Sequence, residues 1–404
     1  MNLQNTNYNK IFYYFIPLFA FILPLSRAGI SFFVIVLPIL WFFEGDFKRK
    51  FEQIKSSKLL IAISAYLIFS IISILWSSNF EQALNVLRLN SYWLLLFVIA
   101  TTVKKEQITT IISSFLAGMF ISELIAYGVF FELWTFKDAT VQNPSPFMFW
   151  IDYSVFMAFT SILLLNRILS KNYNLKEKIL FSLFFISVTG NLFLAIGRTG
   201  QVAFIVAIFV LMIIHYKFSI KSLVFSLLFL TTIFTTAYQL SDSFKTRVQS
   251  AQQDINNIQK MNLNGSWGIR VAYWITTFDI IKDTPIIGVG LGDFKDETAK
   301  IIEVKKYKFL TKKAKDFMGN NNPHNQYLLL LLQMGIIGLS LLLYLIYQIL
   351  KLNIKETELK ELSILFVTVF FISCFAEPLF FKQFTIALFI LFVGIFIASA
   401  NSNN

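Results

Sequence analysis

Apolar runs of bilayer length alternate with short polar breaks along almost the whole chain. Twelve such runs can be drawn, at 11–26, 28–43, 59–76, 89–103, 107–127, 150–168, 179–196, 200–216, 222–239, 325–350, 361–379 and 383–400. Each approaches the roughly 20 residues that a helix needs to cross a hydrocarbon core. The pattern predicts an all-α polytopic membrane protein with about 12 transmembrane helices. Helices 1–9 occupy residues 1–239, one long polar segment covers 240–324, and helices 10–12 occupy 325–404. No internal repeat, coiled coil or soluble domain stands out.

The segment 240–324 breaks the rhythm of short connections. A loop beyond about 15 residues usually carries function or its own secondary structure. Within it, residues 269–283 read as a helix with Arg270, Tyr273, Trp274 and Phe278 along one side, at i, i+3, i+4 and i+8. Thr284 and Pro285 end that helix. A shorter segment, 128–149, carries Trp134, Phe136, Pro144 and Pro146 and is expected to lie along the membrane interface.

Composition agrees with the pattern: 56% of residues are hydrophobic, 47 are Phe, and the mean hydropathy is +0.66. The first apolar run follows a polar start and lacks a small-residue cleavage pattern, so it reads as a retained span. A single cysteine, Cys374, excludes an intramolecular disulfide. Two histidines and one cysteine leave little from which to build a zinc site.

The formal net charge of +12 invites a nucleic-acid reading, which the placement of the charges opposes. One set of breaks holds Lys10, Lys48, Arg49, Lys50, Lys55, Lys58, Lys104, Lys105, four basic residues from Arg167 to Lys178, Lys217, Lys221 and three from Lys351 to Lys360. That set makes 17 of the 35 basic residues. The alternate short breaks hold only Arg27, Arg88, Lys137, Arg198 and Lys382, and the other 13 lie in 240–324. Basic residues in short loops mark the cytoplasmic side. Both termini are therefore expected in the cytoplasm and 240–324 outside, with membrane lipids rather than nucleic acid as partners. Glu123, an acid well within the run 107–127, lies about 27 Å along a helix from Lys105 and so close to the outer surface. Nearly charge-free spans argue against an ion-coupled transporter.

Three features of the outer face could do chemistry. His324 opens a helix on which Gly335 and Gly338 fall about 20° and about 40° from its own direction, giving a smooth face below an imidazole. A helix N-terminus favours a neutral imidazole, able to take a proton from a sugar hydroxyl, and favours a nearby pyrophosphate. An interfacial histidine capping a helix would fit the same spacing. Gly197-Arg198-Thr199-Gly200 places a guanidinium in a tight turn between two spans. It would grip a lipid-linked phosphate or simply snorkel to headgroups. Arg270 stands with Tyr273 and Trp274, which suit stacking on sugar rings or ordinary packing. The glycine run after Pro285 lacks the strand–loop–helix context of a nucleotide loop and reads as a tight turn.

These residues resemble a family. His324-Asn325, nine residues, Gly335, two residues and Gly338 are similar to the H-[NSQ]-x9-G-x2-[GTY] signature of bacterial O-antigen ligases. Gly197-Arg198-Thr199-Gly200 resembles the [SG]-R-[TS]-G element of the wider ligase and polymerase superfamily. The arginine and tryptophan at 270 and 274, with the proline–glycine run up to Phe294, resemble a further superfamily segment. The resemblance implies a glycosyltransferase of the bacterial inner membrane. It would move O-antigen glycan from undecaprenyl pyrophosphate to a terminal sugar of lipid A–core on the periplasmic face, without metal, cofactor or nucleotide. By motif, Arg198 and Arg270 would bind the pyrophosphate and His324 would activate the acceptor hydroxyl. Asn325, Tyr273 and Trp274 would contribute further substrate contacts. An O-antigen polymerase would use the same donor, and a lipid-linked glycan flippase is the alternative of another class.

Overall fold

The computed structural model describes residues 3–240 and 242–401. They form 18 α-helices and four short 3-10 turns. The helices are α1 (Leu3–Ile22), α2 (Arg27–Glu44), α3 (Phe47–Ser56), α4 (Lys58–Ile72), α5 (Phe80–Asn90), α6 (Leu94–Thr102), α7 (Ile108–Phe130), α8 (Trp150–Leu169), α9 (Leu175–Leu194) and α10 (Arg198–Tyr216). They continue as α11 (Ile220–Leu240), α12 (Asp242–Gln259), α13 (Gly268–Ile281), α14 (Phe294–Lys305), α15 (Lys312–Asn320), α16 (Gln326–Leu350), α17 (Thr357–Ser373) and α18 (Gln383–Asn401).

The all-helical expectation holds. Among the described residues nine helical stretches are long and apolar enough to cross a membrane, or ten if α11 and α12, bent by 108°, count as one. Three of the twelve predicted runs fall on α1, α11 and α17. The first begins with a polar stretch, and α17 has only 17 residues.

Two helices are enclosed on nearly all sides. In α8 and α18, 89% and 94% of the residues in the apolar window are buried. In lipid, association gains little from the hydrophobic effect, so close packing of side chains must hold the bundle. Phenylalanine supplies it: the Phe159 ring lies 4.5 Å from Phe392 and 5.0 Å from Phe366, and Phe389 packs on Trp93, Phe370 and Phe380.

The basic breaks collect at one end. There Asn9, Glu44, Arg49, Lys104 and Asn401 line one crevice, so both ends of the described chain lie together. Lys50, fully buried, meets Glu44 at 2.8 Å and braces the corner between α2 and α3. At the same end Tyr173 donates to Glu358 over 2.7 Å.

At the other end, α13, α14 and α15 enclose a small core of their own, with Leu263, Tyr273, Ile302, Tyr307 and Met318 buried together. Asp279 ties it: its carboxylate meets Lys282 at 2.8 Å and Lys305 at 3.0 Å, and accepts from the Tyr307 hydroxyl at 2.7 Å. The long segment is thus helical in part and carries a small core of its own.

That unit is plugged into the bundle. Helix α16 breaks at Gly335, where φ is 60° and ψ is −159°. A break orphans backbone groups that cannot remain unpaired inside a membrane protein. Residues 285–290 satisfy them. Val289 N donates to Leu332 O at 2.7 Å and Gly290 N to Gln333 O at 3.2 Å, while Ile336 N donates to Pro285 O at 3.0 Å and Ile337 N to Ile286 O at 3.3 Å. A Cβ on Gly335 would stand 2.3 Å from Ile286 O, and one on Gly288 would stand 2.4 Å from Leu332 O. The expectation of a continuous helix with Gly335 and Gly338 on one smooth face is therefore overturned. Gly335 is the socket for the proline–glycine run. Three residues after that run, Asp293 accepts from Ser77 Oγ at 2.8 Å and from the amides of Ser78 and Asn79 at 2.7 Å each, fixing α14 to the turn before α5.

Candidate functional site

His324 sits immediately before α16 with φ 48°, the left-handed region that a non-glycine residue enters at a cost. Its backbone amide donates to Asn322 Oδ1 at 2.9 Å. The imidazole lies between two rings, stacked on Phe317 with centroids 5.9 Å apart and edge-on to Tyr273 at 6.3 Å. Nδ1 is 3.0 Å from Glu377 Oε2. Nε2 takes no hydrogen bond among the described residues, and the side chain keeps 22% of its surface open.

Glu377 lies in the turn 374–382 between α17 and α18, with only 3% of its side chain exposed. Burial pushes its carboxyl up. The hydrogen bond from His324 and the Lys382 charge outweigh that, leaving Glu377 below the ordinary glutamate value. An ionised carboxylate can only accept, so Nδ1 of His324 must carry the proton and Nε2 presents its lone pair outward. Sequence reasoning missed Glu377. The available signal was slight: it is the last acid in the chain, alone in the stretch after Glu361.

Behind Glu377 the polar chain continues. Lys382 Nζ lies 3.1 Å from Glu377 Oε1 and 3.1 Å from Asp152 Oδ1, in the first turn of α8. Helix α8 also carries the Arg198 turn. Gly200 N donates to Ser154 Oγ at 3.0 Å, and a Cβ on Gly197 or Gly200 would fall 2.3 or 2.0 Å from atoms of Ser154. The two glycines let α10 start flush on α8, with Arg198 as its first residue.

Both arginines hold a buried guanidinium nitrogen that has no partner among the described residues: Nη1 of Arg198 and Nε of Arg270. Arg270 Nη1 donates to Ser266 O at 2.9 Å. Burial lowers the Arg270 pKa, the Glu377 carboxylate pulls it up, Arg198 pushes it down and Asp254 again pulls it up. Arg270 therefore stands within the fields of both Arg198 and Glu377. Buried, unpaired guanidinium donors are costly unless an anion completes them.

The remaining candidates divide. Tyr273 is buried at 1% exposure and spends its hydroxyl on Met318 O at 3.1 Å, so it is unavailable for stacking on a sugar. Trp274 and Phe278 are exposed. The four-residue stripe spans an arc of about 140° on α13, and the edge of the unit's core passes through it between Tyr273 and Trp274. Asn325 is also buried. Its Oδ1 caps α16 by accepting from Tyr327 N at 2.9 Å and Leu328 N at 3.0 Å, and its Nδ2 donates to Phe375 O at 3.1 Å. With both ends of the amide engaged, it joins the start of α16 to the turn that carries Glu377.

Two arginines with buried donors that lack a partner among the described residues thus accompany a histidine–carboxylate pair at one end of the helical bundle. Residues 182–343 match the family described as O-Antigen ligase, the family that the motifs resemble. The matched region contains Arg198, Arg270 and His324 and stops before Glu377. A protein of Haemophilus influenzae described as uncharacterized is 29% identical over 177 residues, covering 42% of this chain. The chain spans 43% of the length of that curated relative.

Proposed function

We propose that the protein is an O-antigen ligase, transferring glycan from undecaprenyl pyrophosphate to a sugar hydroxyl of lipid A–core. The observation that carries this reading is the free Nε2 of His324, fixed by Glu377 on the opposite ring nitrogen, beside two arginines with unpaired buried donors. The acceptor oxygen attacks the anomeric carbon as Nε2 takes its proton. The bond from that carbon to the pyrophosphate oxygen breaks, and the anomeric centre inverts. Arg198 and Arg270 neutralise the charge that develops on the leaving pyrophosphate, without a metal. Trp274, exposed one turn beyond Arg270, is the remaining aromatic for a sugar face. Asn325 acts by holding His324 and Glu377 in register.

The site end faces the periplasm in this reading. The gathering of both chain ends with the lysine-rich turns at the opposite end supports a cytoplasmic location there. Helices α1, α11 and α17 then complete twelve spans of an inner-membrane bundle. An apolar groove of about 400 Å³ between α9 and α11, lined by Phe193, Leu194, Phe229 and Ile233, ends four residues before Arg198 and suits the polyprenyl chain of the donor.

Transfer by the purified protein from lipid-linked donor to lipid A–core is the test. His324→Ala is expected to reduce it about 10²–10⁴-fold, and Arg198→Lys and Arg270→Lys to damage it because lysine keeps the charge but loses the fork. EDTA is expected to leave it unchanged. Activity of His324→Ala at the native level, or an EDTA block relieved by Mg²⁺, refutes the mechanism.

A further inference from the structure

Glu377 is clamped at both oxygens, Oε2 by His324 and Oε1 by Lys382, each near 3 Å. Lys382 is itself held between two carboxylates that are 3% and 4% exposed, and its ammonium lies 4.7 Å above the Phe149 ring. The next residue, Gln383, donates to Arg27 O at 2.7 Å and to Ser31 Oγ at 2.9 Å, which ties the start of α18, beside the lysine, to α2. A lysine so placed is more than a tie between helices. It fixes the rotamer of Glu377 and the sum of charge behind the imidazole. We infer that Lys382 and Asp152 are positioning residues that set the pH range over which His324 works, Lys382 by holding Glu377 in line and Asp152 by offsetting the lysine's charge.

The groups facing Glu377 from each packed element are His324 before α16, Arg270 from α13, Asp152 from α8 and Lys382 from its own turn. Arg27 faces Asp152 from α2. Removing a cation from this set favours the protonated form of every neighbour, and removing an anion does the reverse. Lys382→Met therefore makes imidazolium persist to higher pH, where the base is blocked. Asp152→Asn shifts the balance the other way. The effects should cancel in the double variant.

This inference rests on His324 being the base. The kcat/KM profile of transfer is measured against pH for Lys382→Met, Lys382→Arg, Asp152→Asn and the Lys382→Met/Asp152→Asn pair. The acid limb is expected to rise by about one pH unit in the first, stay near the native position in the second, fall in the third and return in the pair. A purely structural bridge predicts otherwise: equal damage in Lys382→Met, Asp152→Asn and the pair, with no movement of the limb, and that pattern overturns the inference. A second readout does not need activity. The chain has two histidines, so ¹⁵N-histidine labelling with His215→Gln leaves the His324 ring alone to report. An Nδ1–H tautomer whose titration moves upward in Lys382→Met supports the inference, and an unchanged titration overturns it. Native-level transfer by His324→Ala defeats the base assignment instead, so the two failures are distinguishable.

Discussion

Glu377 Oε2 stands 3.0 Å from His324 Nδ1 across 53 residues of sequence. The contact turns an isolated imidazole at a helix start into one of fixed tautomer. Glu377→Gln tests it almost without a change in volume. A glutamine amide can donate to Nδ1, which would force the proton to Nε2 and remove the base. The expected loss in kcat is about 10²–10⁴-fold, with the protein still in the membrane fraction. Combined with His324→Ala it should cost little more, because the two groups act as one unit. Additive losses in a purified transfer assay would show that they act separately.

Gly335 and the loop from Pro285 make a second prediction. Gly335→Ala puts a methyl 2.3 Å from Ile286 O at a backbone angle that suits glycine. The loop must withdraw, losing the four backbone hydrogen bonds that fill the helix break. Destabilisation of about 1–3 kcal/mol is expected from the backbone strain alone, read as a lower Tm in detergent. Faster proteolysis near 285–292 should accompany it. Gly338→Ala meets only side-chain atoms of Met334 from its own helix and should be milder. Equal effects at the two glycines would contradict this role for Gly335.

The contrast between these glycines shows where sequence reading stops. Periodicity places both near the direction of His324, but periodicity presupposes an unbroken helix. Whether a glycine leaves a smooth surface or admits another backbone depends on a chain segment some 45 residues away. His324, Arg198 and Arg270 stand out as candidates in the sequence because histidines are rare in this chain and both arginines fall in recognisable motifs. Glu377 does not, since a single acid beside a proline has no local pattern and acquires meaning only when α16 and the 374–382 turn meet. Tyr273 misled for the opposite reason. Its spacing from Arg270 is correct for one face, yet the core boundary cuts through that face. Asn325 fits the family motif, and the structure shows its amide capping a helix.

The Asp279 clamp gives the outer helical unit a pH dependence. Hydrogen bonds from Lys282 and Tyr307 hold its carboxyl well below the usual range, against the opposing effect of burial, and Lys305 adds to them. A depressed folded value means that the stabilisation is fully present above the ordinary carboxylate value of 3.8 and is lost as pH falls through the folded one. Protection of the amides across α13 and α14, measured relative to their intrinsic exchange at each pH, should therefore fall on acidification below that value. Asp279→Asn should already exchange faster near neutrality and respond less to acid. An acid response of the same size in Asp279→Asn would assign the effect to other groups.

The acceptor is settled by what a cell lacking the protein accumulates. Both a ligase and a polymerase would use the same donor, and the Arg198–Arg270 pair serves either, because each reaction releases a pyrophosphate. The difference lies in the nucleophile that His324 deprotonates: a hydroxyl on lipid A–core, or one on a second lipid-linked glycan. Without a ligase, full-length glycan remains on the carrier and the core stays bare. Without a polymerase, single repeats still reach the core and long chains disappear. The bare core is the expected result, on a gel of surface glycolipid probed for both core and glycan. Restoration by the native chain but not by His324→Ala or Glu377→Gln would tie the phenotype to this site. A core bearing one repeat unit would transfer the same arginines and the same histidine–carboxylate pair to a polymerase. Unaltered glycolipid in a strain that makes O-antigen would remove both assignments.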